Sequence, residues 1–264
     1  MHITILGSGT STGVPQLGCT CPTCTSSDPH DKRLRCSALI EEAGWRILID
    51  CGPDFRQQML STEFKPIDAV FITHEHYDHV GGLDDLRPYS IFGNVNVYAE
   101  PFCADHLRQR IPYCFLPVEQ RYPGVPSLNI INIEPHQPVV LTDGDAQSAG
   151  RRPLEVLPLR VMHGRLPIVG FRIGQLAYIT DMKTIPASEV PLLSGITTLI
   201  INGLRHTPHP SHQTIDEAIA FSRSVGSPET YLIHMSHHIQ PHAIEAAKLP
   251  PGIHLAYDFM QIDC

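Results

Sequence analysis

The chain has 264 residues, 19 Lys and Arg against 27 Asp and Glu for a formal charge of -8, and 16 histidines. With 42% hydrophobic and 17% charged residues it is not a disordered polyelectrolyte, and it lacks the apolar run of about 18 residues that marks a membrane span. A chain of this length buries roughly 70–75% of its unfolded surface, so no disulfide scaffold is required. The acidic balance disfavours non-specific binding to nucleic acid. We expect one domain over residues 1–264. The start, Met-His-Ile-Thr-Ile-Leu-Gly, has no basic, long apolar or cleavable leader, so a cytoplasmic location is expected.

Short β-branched runs bounded by Gly, Pro, Asn or Asp predict strands, and 3.6-residue periodicity predicts helices. In chain order there are strands at 3–6, 38–41 and 46–49, a helix at 55–60, a strand at 69–72, a helix at 83–92, a strand at 95–98 and a helix at 102–111. The Pro- and Gly-rich stretch 112–150 reads as loops and short strands. Then come strands at 130–133, 154–161 and 176–179, a helix at 187–193, a strand at 198–201, a helix at 214–225, a strand at 231–233 and a helix at 242–248. Strands dominate with helices in both halves, which makes the class mixed α/β (α+β), two β-sheets flanked by helices. A weak echo links Val70-Phe71-Ile72-Thr73-His74-Glu75-His76 with Tyr231-Leu232-Ile233-His234-Met235-Ser236-His237. Both are apolar strands ending in histidines, compatible with a pseudo-twofold arrangement.

The strongest chemical signal is Thr73-His74-Glu75-His76-Tyr77-Asp78-His79, followed by Gly81-Gly82. Residues two apart in an extended segment share a side, so His74 and His76 can chelate one ion, while the ensuing turn aims Asp78 and His79 at a second. Imidazole and carboxylate ligands suit Zn, Mn or Fe rather than Ca, and a pair of ions roughly 3.5–4 Å apart can polarise a phosphoryl or acyl group and generate hydroxide. A second cluster, Cys19-Thr20-Cys21-Pro22-Thr23-Cys24, offers three soft ligands from one loop. A structural Zn needs a fourth to close the tetrahedron. His237 is our choice, three residues beyond His234, with Cys36, His30 and His238 as substitutes.

His-x-His-x-Asp-His after an apolar strand resembles the metallo-β-lactamase superfamily. The resemblance implies an αββα sandwich with a dinuclear site at one edge. It further implies that His74, His76 and His163 hold one ion and Asp78, His79 and His234 the other, with Asp181 bridging both, the pair being Zn or Mn. Gly7-Ser8-Gly9-Thr10-Ser11-Thr12-Gly13, the cysteine cluster and His234-Met235-Ser236-His237 narrow the likeness to phosphodiesterases of the carbon-phosphorus lyase pathway, which open phosphoribosyl 1,2-cyclic phosphate. His212, before the helix at 214–225, is similar to the histidine that such enzymes place near the scissile phosphate, where a protonated imidazole stabilises the transition state or gives up its proton. Asp78 and His212 are therefore the expected catalytic residues.

The expectation is a hydrolase that cleaves a small phosphodiester, a cyclic ribose phosphate or nucleotide-like compound, with hydroxide generated at the ion pair. A thioester or lactam hydrolase of the same fold, a tRNA 3'-processing-type nuclease and a non-enzymatic accessory of cofactor biosynthesis are the alternatives. No membrane partner is expected, and a homodimer is allowed. The Gly7–Gly13 loop lacks both the P-loop ending and the dinucleotide spacing, and reads as a turn with modest help to a phosphate. Arg33, Arg35 and Ser37 receive no assignment.

Overall fold

The computed structural model describes residues 1–142 and 150–264. Fourteen strands follow one another along these described residues: β1 (His2–Gly7), β2 (Ser37–Glu42), β3 (Trp45–Ile49), β4 (Ala69–Phe71), β5 (Val95–Ala99), β6 (Leu128–Asn132), β7 (Val139–Leu141), β8 (Leu154–His163), β9 (Leu166–Ile173), β10 (Leu176–Ile179), β11 (Thr198–Asn202), β12 (Glu229–Ile233), β13 (Ile253–Leu255) and β14 (Gln261–Asp263). They form two seven-stranded sheets, in the orders β14-β1-β2-β3-β4-β5-β6 and β13-β12-β11-β10-β9-β8-β7. Each sheet is antiparallel over four strands and parallel over four, with β3 and β10 at the change of direction. The sequence echo does not fall on equivalent strands. β3 and β10 correspond, whereas β4, leading to His74, and β12, leading to His234, are offset by one position.

Alternation of side chains along the strands explains the layering. On β2 and β3, Ala38, Ile40, Ile47 and Ile49 face Val156, Phe171, Tyr178 and Ile200 of the other sheet in one core cluster. The intervening Leu39 and Leu48 face outward into a second cluster with Phe55, Leu83 and Leu107 from the helical segments. A third cluster covers the outer face of the second sheet, where Ala218 from the helix Ile215–Val225 meets Leu199 and Ile201. The αββα sandwich implied by the resemblance is therefore the observed architecture.

The expected strands all form, and the helices at 55–60, 102–111, 214–225 and 242–248 appear as Phe55–Met59, Pro101–Arg110, Ile215–Val225 and His242–Ala246. Segment 83–92 winds instead as a 3-10 helix, Leu83–Phe92, whose interior Pro88 lacks the amide that α-helical pairing requires. Segment 187–193 shrinks to a 3-10 turn, Val190–Leu193, opened by Pro191. Four strands escape the sequence pattern. β9 carries Pro167 and Gly170, and β7, β13 and β14 are three-residue edge or near-edge pieces, too short to show a period. The loop-rich stretch 112–150 does contain β6 and β7, and its part at 143–149 lies outside the described residues. No helix among the described residues is long and apolar enough to cross a membrane.

The helix Ile215–Val225 starts on a capping box. The Thr214 hydroxyl accepts the Glu217 amide at 3.1 Å, and the Glu217 carboxylate accepts the Thr214 amide at 2.7 Å. Thr214→Ala is expected to cost about 1 kcal/mol of folding stability. Urea unfolding measures this, and an unmoved midpoint would deny the cap any role.

Candidate metal centre

The C-terminal ends of β3, β4, β8, β10 and β12 meet at one edge of the sandwich. His74 follows β4 by three residues, and His76, Asp78 and His79 come next on the loop and the short helix Tyr77–Val80. His163 is the last residue of β8, fixed at a hairpin whose two-residue turn uses Gly164 at φ 62°. Asp181 lies two residues beyond β10, and His234 directly follows β12. Asp181 (φ 58°) and His234 (φ 57°) take left-handed backbone conformations, as does Asp50 (φ 60°) directly after β3. Such strain outside glycine gathers where the surroundings hold a side chain for function.

Two sets of donor atoms result, each mutually within 4.8 Å: His74, His76, His163 and Asp181, and Asp78, His79, Asp181 and His234. These are the seven residues expected from the sequence, divided in the same way. Asp181 Oδ2 is 3.7 Å from His74 Nε2, while Oδ1 is 3.5 Å from His79 Nε2 and 3.2 Å from His234 Nε2. Its two oxygens thus serve different sets. Asp78 Oδ2 lies 3.2 Å from His79 Nε2 and 3.6 Å from His234 Nε2.

The far nitrogens are held from behind, which fixes the rings. His79 Nδ1 donates to Asp50 Oδ2 at 2.7 Å, His74 Nδ1 meets Thr73 Oγ1 at 2.9 Å, and His163 Nδ1 faces the carbonyls of Asp181 and Ser211, each at 2.9 Å. Asp50 also accepts the Thr73 amide at 2.8 Å. Asp50 was missed in the sequence, because an isolated Asp at a strand end carries no chelating spacing of its own. Gly52 permits this convergence, since a Cβ there would stand 2.1 Å from the Asp78 carbonyl.

The charge balance asks for cations. Asp50, Asp78 and Asp181 are each less than 10% exposed, and their ion-pair partners are all histidines. Burial alone would raise Asp181 and Asp78, but neighbouring imidazoles hold both well below the usual carboxylate range, His234 first for Asp181 and His79 first for Asp78. Burial would likewise lower His79, yet the carboxylates of Asp181, Asp78 and Asp50 push it well above the usual imidazole range. The Nε2 atoms of His79 and His234 are buried without a hydrogen-bond partner. Buried carboxylates facing partnerless imidazole nitrogens fit divalent ions, which would replace the protons that the cluster otherwise attracts.

His212 stands over this set, its Nδ1 3.9 Å from Asp181 Oδ2 and its ring centroid 4.6 and 4.8 Å from those of His163 and His234. Burial, reinforced by His234, pulls it down to about 3. Burial and the surrounding imidazoles thus disfavour its protonated form. His209, whose ring centroid is 4.9 Å from that of His212, and His206, bound to Glu245 at 2.7 Å, stay outside the two sets.

The second cluster also assembles. Cys19, Cys21, Cys24 and His237 bring their donor atoms within 4.8 Å of one another, His237 Nδ1 lying 3.2 Å from Cys19 Sγ and 3.5 Å from Cys21 Sγ. Burial pushes the Cys24 thiol up to about 11. Burial acts on Cys21 in the same sense, but the Cys24 amide and His237 bring it down to about 6, in the range where a thiolate ligand forms readily. Of the substitutes, Cys36 is buried in the core beneath the histidines, His30 pairs with Asp28 at 3.0 Å, and the His238 ring lies tilted against that of His237 at 4.1 Å between centroids. The Gly7–Gly13 loop runs beside the segment that carries His234 and His237. Gly9 bridges both Arg35 and Met235, and a Cβ on it would come 2.8 Å from the Arg33 side chain. The three unassigned residues have structural partners: Arg33 holds Ser8, Arg35 pairs with Asp54 at 3.2 Å, and Ser37 donates to the Asp50 carbonyl.

Comparison with known proteins agrees with this architecture. A β-lactamase superfamily domain matches residues 45–235. The crystal structure of a diphosphatase from the PhnP family aligns over 100% of this chain and 97% of its own, with a TM-score of 0.87 and 36% identity. Zn(2+)-bound PqqB from Methylobacterium extorquens aligns over 100% of both chains at a TM-score of 0.76 and 21% identity, a likeness of fold. An octanoyltransferase of Porphyromonas gingivalis is 49% identical over 263 residues, which is 99% of this chain and 51% of that protein. The chain therefore spans about half the length of that relative. By its domain match, its sandwich of two sheets and its His-x-His-x-Asp-His edge, the chain belongs to the metallo-β-lactamase superfamily.

Proposed function

We propose that the protein is a dinuclear metal-dependent phosphodiesterase of small phosphorylated substrates, a cyclic ribose phosphate or a nucleotide-like diester. The observation that carries this reading is the shared Asp181, whose two oxygens face separate donor sets, with His212 above them. The likeness to a diphosphatase over the whole chain supports phosphorus as the centre attacked. His74, His76 and His163 would hold one divalent ion, Asp78, His79 and His234 the other, and Asp181 both, with Zn or Mn suited to such donors. Cys19, Cys21, Cys24 and His237 would hold a structural Zn. When bound, the ion pair supplies Lewis acidity to the phosphoryl oxygens and an activated water.

The chain's own residues do the rest. Asp78 and Asp181 set the charge of the pair. An arriving phosphate anion raises the proton affinity of His212, which can then share a proton with a phosphoryl oxygen or the departing alkoxide. His212→Asn is expected to lower kcat on bis-p-nitrophenyl phosphate about 10²-fold while elemental analysis still finds about three ions per chain. Unchanged kcat would remove His212 from the chemistry. The eight cysteines, none in a disulfide, fit the reducing cytoplasm.

A thioester hydrolase is the second reading, favoured by the Porphyromonas gingivalis relative, whose name concerns an acyl group. Parallel assays of the phosphodiester and an octanoyl thioester separate the two. Faster turnover of the thioester would overturn the first reading.

A further inference from the structure

We propose that Asn202 is the positioning residue that sets Asp181 against His212. It is the last residue of β11, fully buried, and outside both donor sets. Its side chain spends both of its functions on one neighbour: Oδ1 accepts the Met182 amide at 2.7 Å, and Nδ2 donates to the Met182 carbonyl at 3.0 Å. Met182 directly follows Asp181, the left-handed residue whose two oxygens divide between the donor sets.

The same Met182 carbonyl accepts the amide of Gln213 at 3.0 Å, and Gln213 directly follows His212. One carboxamide therefore fixes both main-chain groups of the residue after the shared carboxylate, and the carbonyl of that residue in turn holds the segment that carries His212. A third tie runs to the other side. Asn202 is in register with Ile233 on β12, and the next amide, Gly203, donates to the Ile233 carbonyl at 2.9 Å, immediately before His234. The Asn202 side chain thus ties the residue after Asp181 to the end of β11, and the main chain beside it ties β11 to the end of β12 next to His234. An aspartate would keep the acceptor for the Met182 amide but set a carboxylate oxygen against the Met182 carbonyl. A leucine of similar size would withdraw both bonds and leave a buried amide unpaired. Only an amide matches a peptide's donor and acceptor together, so the chemistry of Asn at this position follows from what it holds.

The assignment rests on the reading of the site as a dinuclear phosphodiesterase, and the test separates the two. Wild type, Asn202→Leu, Asn202→Asp and the control Ser222→Ala are compared well below their unfolding temperatures. Ser222 makes a buried hydrogen bond to Thr230 at 2.6 Å on the outer face of the same sheet, remote from the donor sets in its contacts. Calorimetric titration with Mn²⁺ reads ion affinity, and bis-p-nitrophenyl phosphate reads kcat and KM separately. Asn202→Leu is expected to weaken binding of the Asp181-dependent ion and to lower kcat, each about 10–100-fold, with KM little changed. Asn202→Asp should fall between it and wild type, and serves alone if the leucine variant does not fold. Ser222→Ala should lower only the unfolding temperature. Asn202 variants that keep ion affinity and kcat while melting early, as the control does, would overturn the assignment. Should wild type hydrolyse no phosphodiester, the functional reading falls, while the Mn²⁺ titration still decides the role of Asn202.

Discussion

Asp181→Asn is expected to lower phosphodiester turnover about 10³-fold and to cost the chain one of its paired ions. Asparagine keeps the shape, tolerates the left-handed backbone at φ 58° and can still accept the Thr180 hydroxyl, which reaches Asp181 Oδ1 at 2.8 Å. What it lacks is charge. Removing one partner of a buried ionic cluster costs about 3–5 kcal/mol, and each 1.36 kcal/mol lost from the transition state is tenfold in rate. Elemental analysis counts the ions, circular dichroism verifies the fold and kcat is measured under saturating Mn²⁺. Wild-type turnover with a full complement of ions would show that Asp181 bridges nothing.

Cys21→Ser is expected to leave turnover of the folded molecule in place and to lower the unfolding temperature by about 10 °C. Serine can still accept the Cys24 amide, which meets Cys21 Sγ at 3.4 Å, but it offers no soft thiolate. Binding free energy at a structural Zn is folding free energy, and a loss of about 4 kcal/mol in a domain of this size displaces the midpoint by roughly 8–16 °C. Differential scanning calorimetry with and without Zn²⁺ measures the shift. Loss of turnover at an unchanged midpoint would mean that this cluster belongs to the reaction rather than to the fold.

Four of the seven donor residues were legible because they crowd one segment, His74 to His79, whose spacing alone implies chelation. His163, Asp181 and His234 are isolated in sequence and became recognisable only through the resemblance that this segment carries. Asp50 and Asn202 stayed hidden for a different reason. Each acts on a neighbour's ring or main chain, and no local spacing announces a partner 29 residues away, as His79 is from Asp50. The strands showed themselves through β-branched runs, except where Pro167 and Gly170 interrupt β9 or where three residues suffice, as in β13. Leu83–Phe92 kept the apolar positions of a helix while Pro88 denied it the α-helical hydrogen bond. The depressed proton affinity of His212 was beyond reach as well, because it depends on burial among other imidazoles that only the folded chain supplies.

Each donor set draws on both halves of the sandwich: His74, His76, Asp78 and His79 follow strands of one sheet, and His163, Asp181 and His234 those of the other. Ions seated there would act as a clasp on that margin. Chelation would then unfasten the layers at that margin, and the stripped protein is expected to fray first from this edge. On the proposed function, the working lifetime of the molecule would be tied to the same atoms as its chemistry.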